Sequence, residues 1–404
     1  MSDVEVPNGA RVRLGVVDGN LRVGRNATID ADGAVRVRGA AEFEGNVDVV
    51  GDLTCRSFEA DGGRVRVSGH LAVEESLSAD DGEVEIGGTF RADSVDVDRR
   101  LRLGGAAETG RLEVGGRLEG DSTLTATAIS VGGLLRLAGK LVARSLEAGG
   151  SVELADVELD ALDVGGTVRL RGGVVRERIE VGGRFRADGV LSFGAVEVGG
   201  IAEFRERASG GDLEVGGVLR AEKDLSFEEL EVGGVAEIQG NGNGQRVRIG
   251  GKLAVGGSLA LTGRLSVGGR AEIRGSLTAG EVEAGGRLTA ERAVVVGRTE
   301  IGGSLQTRAG FKGAEILLRH RSKAVGPLVG GRVTLERRAE AETIFGERVD
   351  LDRLARARRI VAEEVRLEEG AAVDEVVYVR SLAVEPGARV GNAQKVDSLP
   401  PFPL

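Results

Sequence analysis

Apolar and polar residues alternate in short runs along most of the chain, and in the middle third each run restarts at an apolar residue followed by two glycines. In Glu180-Val181-Gly182-Gly183-Arg184-Phe185-Arg186-Ala187, the residues Val181, Phe185 and Ala187 face one way and Glu180, Arg184 and Arg186 the other. That period of two is the mark of a strand with one buried face. A second short strand is predicted around Leu191-Ser192-Phe193, and a third leads into Val198-Gly199-Gly200. The first glycines of the pairs stand at Gly115, Gly132, Gly149, Gly165, Gly182, Gly199, Gly216, Gly233, Gly250, Gly268, Gly285 and Gly302, spaced by 17 except for one gap of 16 and one of 18. A fixed short period means one unit stacked on copies of itself. Three short strands and three corners consume about seventeen residues. The predicted fold is therefore all-β: a triangular parallel β-helix (β-solenoid), right-handed by the general crossover preference. About 22 turns of about 17 residues would make a rod of roughly 105 Å at about 4.8 Å per turn.

The inward positions three and five residues after each first glycine trade size from turn to turn. They read Phe185 with Ala187, Ala202 with Phe204, Leu219 with Ala221, Ala236 with Ile238, Leu253 with Val255, Ala271 with Ile273, and Leu288 with Ala290. Swapping large and small keeps the volume of each turn nearly constant, as close packing requires. The outward position between them alternates in charge as Arg186, Glu203, Arg220, Glu237, which predicts a ladder of opposite charges. Two glycines per turn are expected where the corner needs a positive φ or a close approach to the next coil.

The flanks are less regular. Residues 1–105 are read as coils of looser period, 106–305 as the regular array, 306–395 as further coils carrying a basic loop, and 396–404 as a proline-rich tail. The 11-residue step from Gly104 to Gly115 predicts an irregular coil. Arg319-His320-Arg321-Ser322-Lys323 is expected to protrude as a loop, and Gly240-Asn241-Gly242-Asn243-Gly244 to be a corner insertion.

Composition narrows the picture. Glycine makes up 67 of 404 residues and aromatics only 3%, with no Trp. That suits a narrow core of Val, Leu, Ile and Ala better than a spherical one. A net charge of −10 argues against a nucleic-acid binder that relies on overall charge. The single Cys55 excludes an internal disulfide and fits a reducing compartment. The start MSDVEVPNGARVRLG has no apolar leader, so the expected location is cytoplasmic, with association to a membrane surface as an option.

Candidate chemistry is sparse. His70 and His320 are the only histidines, too few for a three-His zinc site within one subunit. No catalytic, cofactor or metal residue is assigned, and the hexapeptide-repeat enzyme is the weakest reading. Glu180, Glu197, Glu214 and Glu231 share one outward column, read as a solvated acidic face or as a strip for cations or a basic partner. Arg319, Arg321, Lys323, Arg348, Arg353, Arg356, Arg358 and Arg359 form a basic stretch, read as ordinary charged surface or as a patch for anionic lipid or an acidic partner. The tail Leu399-Pro400-Pro401-Phe402 either caps the last coil or serves as an extended ligand for a partner.

Taken together, the glycine-punctuated coils, the stretch Gly326-Pro327-Leu328-Val329 through Val376-Val377-Tyr378-Val379, and the closing Leu399-Pro400-Pro401 resemble the bactofilins, polymer-forming cytoskeletal proteins, and in particular their long archaeal relatives. The resemblance implies a right-handed triangular β-helix whose subunits join end to end into nucleotide-independent, non-polar filaments. Physics points the same way: a coil end exposes unpaired strand groups above an apolar core, a template for another subunit. Val4, Val6, Val12 and Leu14 at one end and Leu382, Val384 and Val390 at the other are the expected polymer interfaces. The alternative is a monomeric rod that displays charge ladders to partners.

Overall fold

The computed structural model describes residues 2–401. It contains strands and no helix, and the strands wind as a parallel β-solenoid. The chain divides into two compact units, Met1–Gly199 and Gly200–Leu404.

In the first unit three stacked strand columns repeat in order. One column passes from Phe58 through Leu77, Val95, Leu112, Ile129, Leu146 and Leu162 to Ile179, each residue lying directly beneath the next. All eight are 2% exposed or less. Alternation alone explains this: every second side chain points inward, and each coil places the same phase over the last. A fully buried Leu, Ile or Phe contributes about 1.5–3 kcal/mol through lost water contact. Phe43 and Phe58 add a ring contact at 4.7 Å between centroids.

The second unit repeats the scheme. Ala202, Leu219, Ala236, Leu253, Ala271 and Leu288 stack in one inward column. Beside it run Phe204, Ala221, Ile238, Val255, Ile273 and Ala290. Large and small residues trade places from coil to coil, and all twelve are 3% exposed or less.

The glycine pairs answer a question of distance. None of the glycines in the twelve periodic pairs that begin at Gly115 and end at Gly303 has a positive φ. A Cβ added at Gly116, Gly150 or Gly183 would instead lie 2.2, 2.3 or 2.5 Å from the carbonyl oxygen of Arg99, Gly133 or Gly166 one coil below. The corners pack backbone on backbone, and only glycine fits.

Three sequence expectations are corrected. The coil between Gly104 and Gly115 is regular: Ala107 sits over Phe90 and Arg117 over Arg100, both 17 residues apart. The short step arises because Gly104 belongs to a corner stacked on Ile86–Gly88, whereas Gly115 and Gly116 rest on Asp98 and Arg99 at a different corner. The glycine column changes corner and the coil keeps its length. Gly240–Gly244 holds no insertion either, since Leu225, Gly242 and Leu259 stack at intervals of 17. Asn241 there accepts the Ser258 N–H at 2.9 Å while its own N–H bonds Asp224 at 2.8 Å. Finally, residues 319–322 are a tight turn. Ser322 N donates to Arg319 O at 3.0 Å, and the Ser304 row passes directly to Lys323.

That turn recurs on each following coil. Glu336-Arg337-Arg338-Ala339, Asp352-Arg353-Leu354-Ala355, Glu368-Glu369-Gly370-Ala371 and Glu385-Pro386-Gly387-Ala388 close with the same fourth-to-first bond, at 2.9, 3.0, 3.0 and 3.1 Å. The third residue is left-handed each time, with φ of 59° at Arg321, 61° at Arg338 and Leu354, 73° at Gly370 and 85° at Gly387. The fourth points inward and must be small: Ser322, Ala339, Ala355 and Ala371 are 1% exposed or less.

Candidate functional site: open coil ends and charged corners

In the first unit the opening coil has one neighbour only. Val4–Val6 pairs with Leu21–Val23, and Arg11–Val17 with Ala27–Val37. The other edges of Val4–Val6 and Arg11–Val17 have no strand partner among the described residues. Val4, Val12 and Leu14 are half-buried there, whereas Leu21 and Ile29 directly above are fully buried. Val6, by contrast, is 2% exposed, so it supports the coil from within and offers no surface. Val16 is 66% exposed at the same edge.

In the second unit the last strand, Arg389–Lys395, pairs only with Ala372–Val384. Leu382 and Val390 are half-buried and Val384 is 46% exposed, because no further strand covers them. After the Val396 N–H bonds Tyr378 O at 2.9 Å, the tail makes no backbone hydrogen bond among the described residues. Leu399 is half-buried, Pro400 and Pro401 are exposed, and Phe402 lies outside the described residues. Each end therefore exposes strand groups over an apolar interior, which is the arrangement that accepts another strand.

The eight basic residues do not converge. Lys323 and Arg356 share one strand row, Arg359 lies on the next side and Arg348 on the third. Most already have partners: Arg319 with Glu300 at 2.5 Å, Lys323 with Glu340 at 3.8 Å, Arg348 with Asp350 at 3.2 Å, Arg353 with Glu369 at 3.6 Å and Arg359 with Glu375 at 3.4 Å. Arg321, Arg356 and Arg358 have no ion pair among the described residues. What the linear reading missed is that Arg337 and Arg338 stack with Arg321 and Arg353 on successive tight turns, since Arg321 N bonds Arg337 O and Arg338 N bonds Arg353 O. The spacing of the four-residue turns was the available signal.

The acidic column holds within each unit. Glu197 sits over Glu180, and Glu231 over Glu214. Arg178 relieves Glu180 at 2.6 Å and Arg248 relieves Glu231 at 2.9 Å. The expected ladder of opposite charges runs in the second unit from Glu203 through Arg220 to Glu237, at 3.4 and 3.9 Å. Further along the first unit's column, burial and then Glu113, Asp98 and Asp80 push the Asp96 carboxyl above its ordinary range. Near the first coils, two outward rows line a groove of about 850 Å³. One row is Glu5, Arg22, Glu42 and Glu59; the other is Glu44, Asp61 and Asp80. Arg22 neutralises only Glu42, at 2.8 Å.

Each histidine's backbone N–H is held by an acidic side chain of a neighbouring coil. His70 Nδ1 accepts the Thr89 N–H at 2.9 Å, and the His70 backbone N–H donates to Asp52 Oδ1 at 2.8 Å. The His320 N–H bonds Glu336 at 3.0 Å. Among the described residues no group of three His, Cys, Asp or Glu side chains is placed to hold a metal ion, and no helix is long and apolar enough to cross a membrane.

No family model, curated protein or solved structure matches the chain.

Proposed function

We propose that this chain is a structural protein of bactofilin type, whose copies join end to end through their terminal coils into filaments that need no nucleotide. The observation that carries the reading is the pair of uncovered strand edges, Val4–Val6 with Arg11–Val17 and Leu382–Val384 with Arg389–Lys395, each above an apolar interior. A new strand there gains main-chain hydrogen bonds and covers Val12, Leu14, Leu382 and Val390 at once. Burying the exposed part of such side chains yields about 25 cal/mol per Å². The single Cys55, buried and with its thiol pushed up to about 12 by burial, sits unreactive in the core, and we place the assembly in the reducing cytoplasm.

Negative-stain electron microscopy of the purified chain without nucleotide tests the proposal. Filaments a few nanometres wide are expected. Val12→Asp and Leu14→Asp put a charge on the uncovered edge and should leave single particles. Filaments that persist in both variants would remove the first coil from the interface. Single particles of the parent chain at every concentration would favour the display rod instead.

A further inference from the structure

The tight turns of the second unit raise a question that end-to-end assembly does not answer. Their third position is left-handed, the conformation that favours glycine. Two of the five turns use glycine there, Gly370 and Gly387, yet two others carry arginine, Arg321 and Arg338. Neither arginine has an ion pair among the described residues, nor does Arg337 beside them, and all three are exposed. An exposed arginine without an internal partner leaves its charge free for an external one. With Arg353 on the next turn, the three coils present an exposed basic ridge whose rows are one coil rise apart, about 4.8 Å.

The first unit carries the complement. Its groove of about 850 Å³ is concave and acidic, and Glu44, Asp61 and Asp80 follow one another on successive coils at the same rise. Equal spacing matters. Three rows of arginine meet three rows of carboxylate without accumulating mismatch, which a polyanion of another repeat length would not offer.

We propose that the arginine ridge of one molecule docks into the acidic groove of a second copy of this chain, holding copies side by side. The contact is heterologous, ridge to groove, and each copy carries one of each. It does not require end-to-end growth, and its failure would leave the terminal coils untouched. Exposed charges at this spacing are screened within about 10 Å at 0.1 M salt and about 3 Å at 1 M. Lateral association should therefore be strong at low ionic strength and lost at high.

The test uses the full chain carrying Val12→Asp and Leu14→Asp, which removes end-to-end growth, as the parent for every variant, in sedimentation velocity at low and high NaCl. A ridge variant combines Arg321→Gly, Arg337→Ser and Arg338→Gly; two of these changes relax the turn, so misfolding would not explain a defect. A groove variant combines Glu44→Gln, Glu59→Gln and Asp61→Asn on exposed positions. Each variant alone should self-associate at least about tenfold more weakly, a change of about 1.4 kcal/mol. Mixed together, they should form a one-to-one complex, because each keeps one working half. A ridge variant that associates like the parent, or a mixture that stays monomeric, overturns the proposal. So does ridge-dependent binding to phosphatidylserine vesicles by a parent chain that shows no lateral association, which would assign the ridge to lipid.

Discussion

The adjacent glycines Gly285 and Gly286 should respond very differently to alanine. A Cβ at Gly286 would stand 1.9 Å from the carbonyl oxygen of Gly269, whereas one at Gly285 would stand 3.0 Å from that of Gly268. Real Cβ atoms essentially never approach closer than 3.0 Å, so Gly286→Ala forces the corner open by about 1.1 Å. That displacement is about a quarter of the coil rise of about 4.8 Å. It stretches the bond from Arg287 N to Gly269 O, now 2.9 Å, beyond hydrogen-bonding range. Losing one ladder bond costs about 0.5–1.5 kcal/mol and overpacking about 1–3 kcal/mol. The smaller freedom of alanine in the unfolded chain returns about 0.4–1 kcal/mol. The net cost of Gly286→Ala is thus about 0.5–4 kcal/mol, centred a little above 2 kcal/mol, while Gly285→Ala falls within about 1 kcal/mol of neutral. Long repeat arrays do not unfold as one unit, so a single melting midpoint is the wrong readout. Hydrogen–deuterium exchange on peptides spanning residues 265–305 reads the corner directly. Gly286→Ala should speed exchange there by about thirtyfold or more, and Gly285→Ala by less than about fivefold, at about 1.4 kcal/mol per factor of ten. Equal protection in the two variants would refute the argument that carbonyl approach selects the glycines.

Three further outcomes follow from packing and charge. The raised Asp96 carboxyl binds its proton more tightly in the native state than in the unfolded one, so its contribution falls as pH rises from the ordinary carboxylate value through the raised one. Asp96→Asn should accordingly slow exchange of its coil at neutral pH and leave it unchanged in acid; faster exchange at neutral pH would contradict the burial argument. Glu119 behaves oppositely: the hydrogen bond from Arg100 holds it below the ordinary range, so its contribution is present at neutral pH and is lost as pH falls through that lowered value. Glu119→Gln should cost about 0.5–1 kcal/mol near neutrality, measured by hydrogen–deuterium exchange of its coil, and nothing in strong acid. Ala355 is fully buried behind its turn, so Ala355→Val should destabilise the C-terminal coils by about 1–3 kcal/mol, seen as earlier proteolysis there, whereas an unchanged cleavage profile would mean the turn has room.

Much of the fold was legible because a solenoid turns a three-dimensional problem into a periodic one. The neighbour of a residue is the residue about seventeen places on, so the inward set Ala202, Leu219, Ala236 and Leu253 and the ladder Glu203–Arg220–Glu237 could be read directly along the chain. Strand phase, coil period and core chemistry can be read from the residues in order, since each rests on local alternation and on volume matching between successive repeats. The sequence marked the terminal valines as uncovered for the same reason, although Val6 proved to be interior. Tertiary structure alone decided which of three corners a glycine pair occupies, because a step from Gly104 to Gly115 looks like a shortened coil until the stacking partners are known. It alone showed that those glycines answer a carbonyl at 1.9–3.1 Å rather than a positive φ. It alone separated Arg348 and Arg359 from the ridge and added Arg337 and Arg338 to it. Charge proximity depends on which side of the coil each residue faces, and a one-residue change in coil length moves that side without leaving a mark in composition.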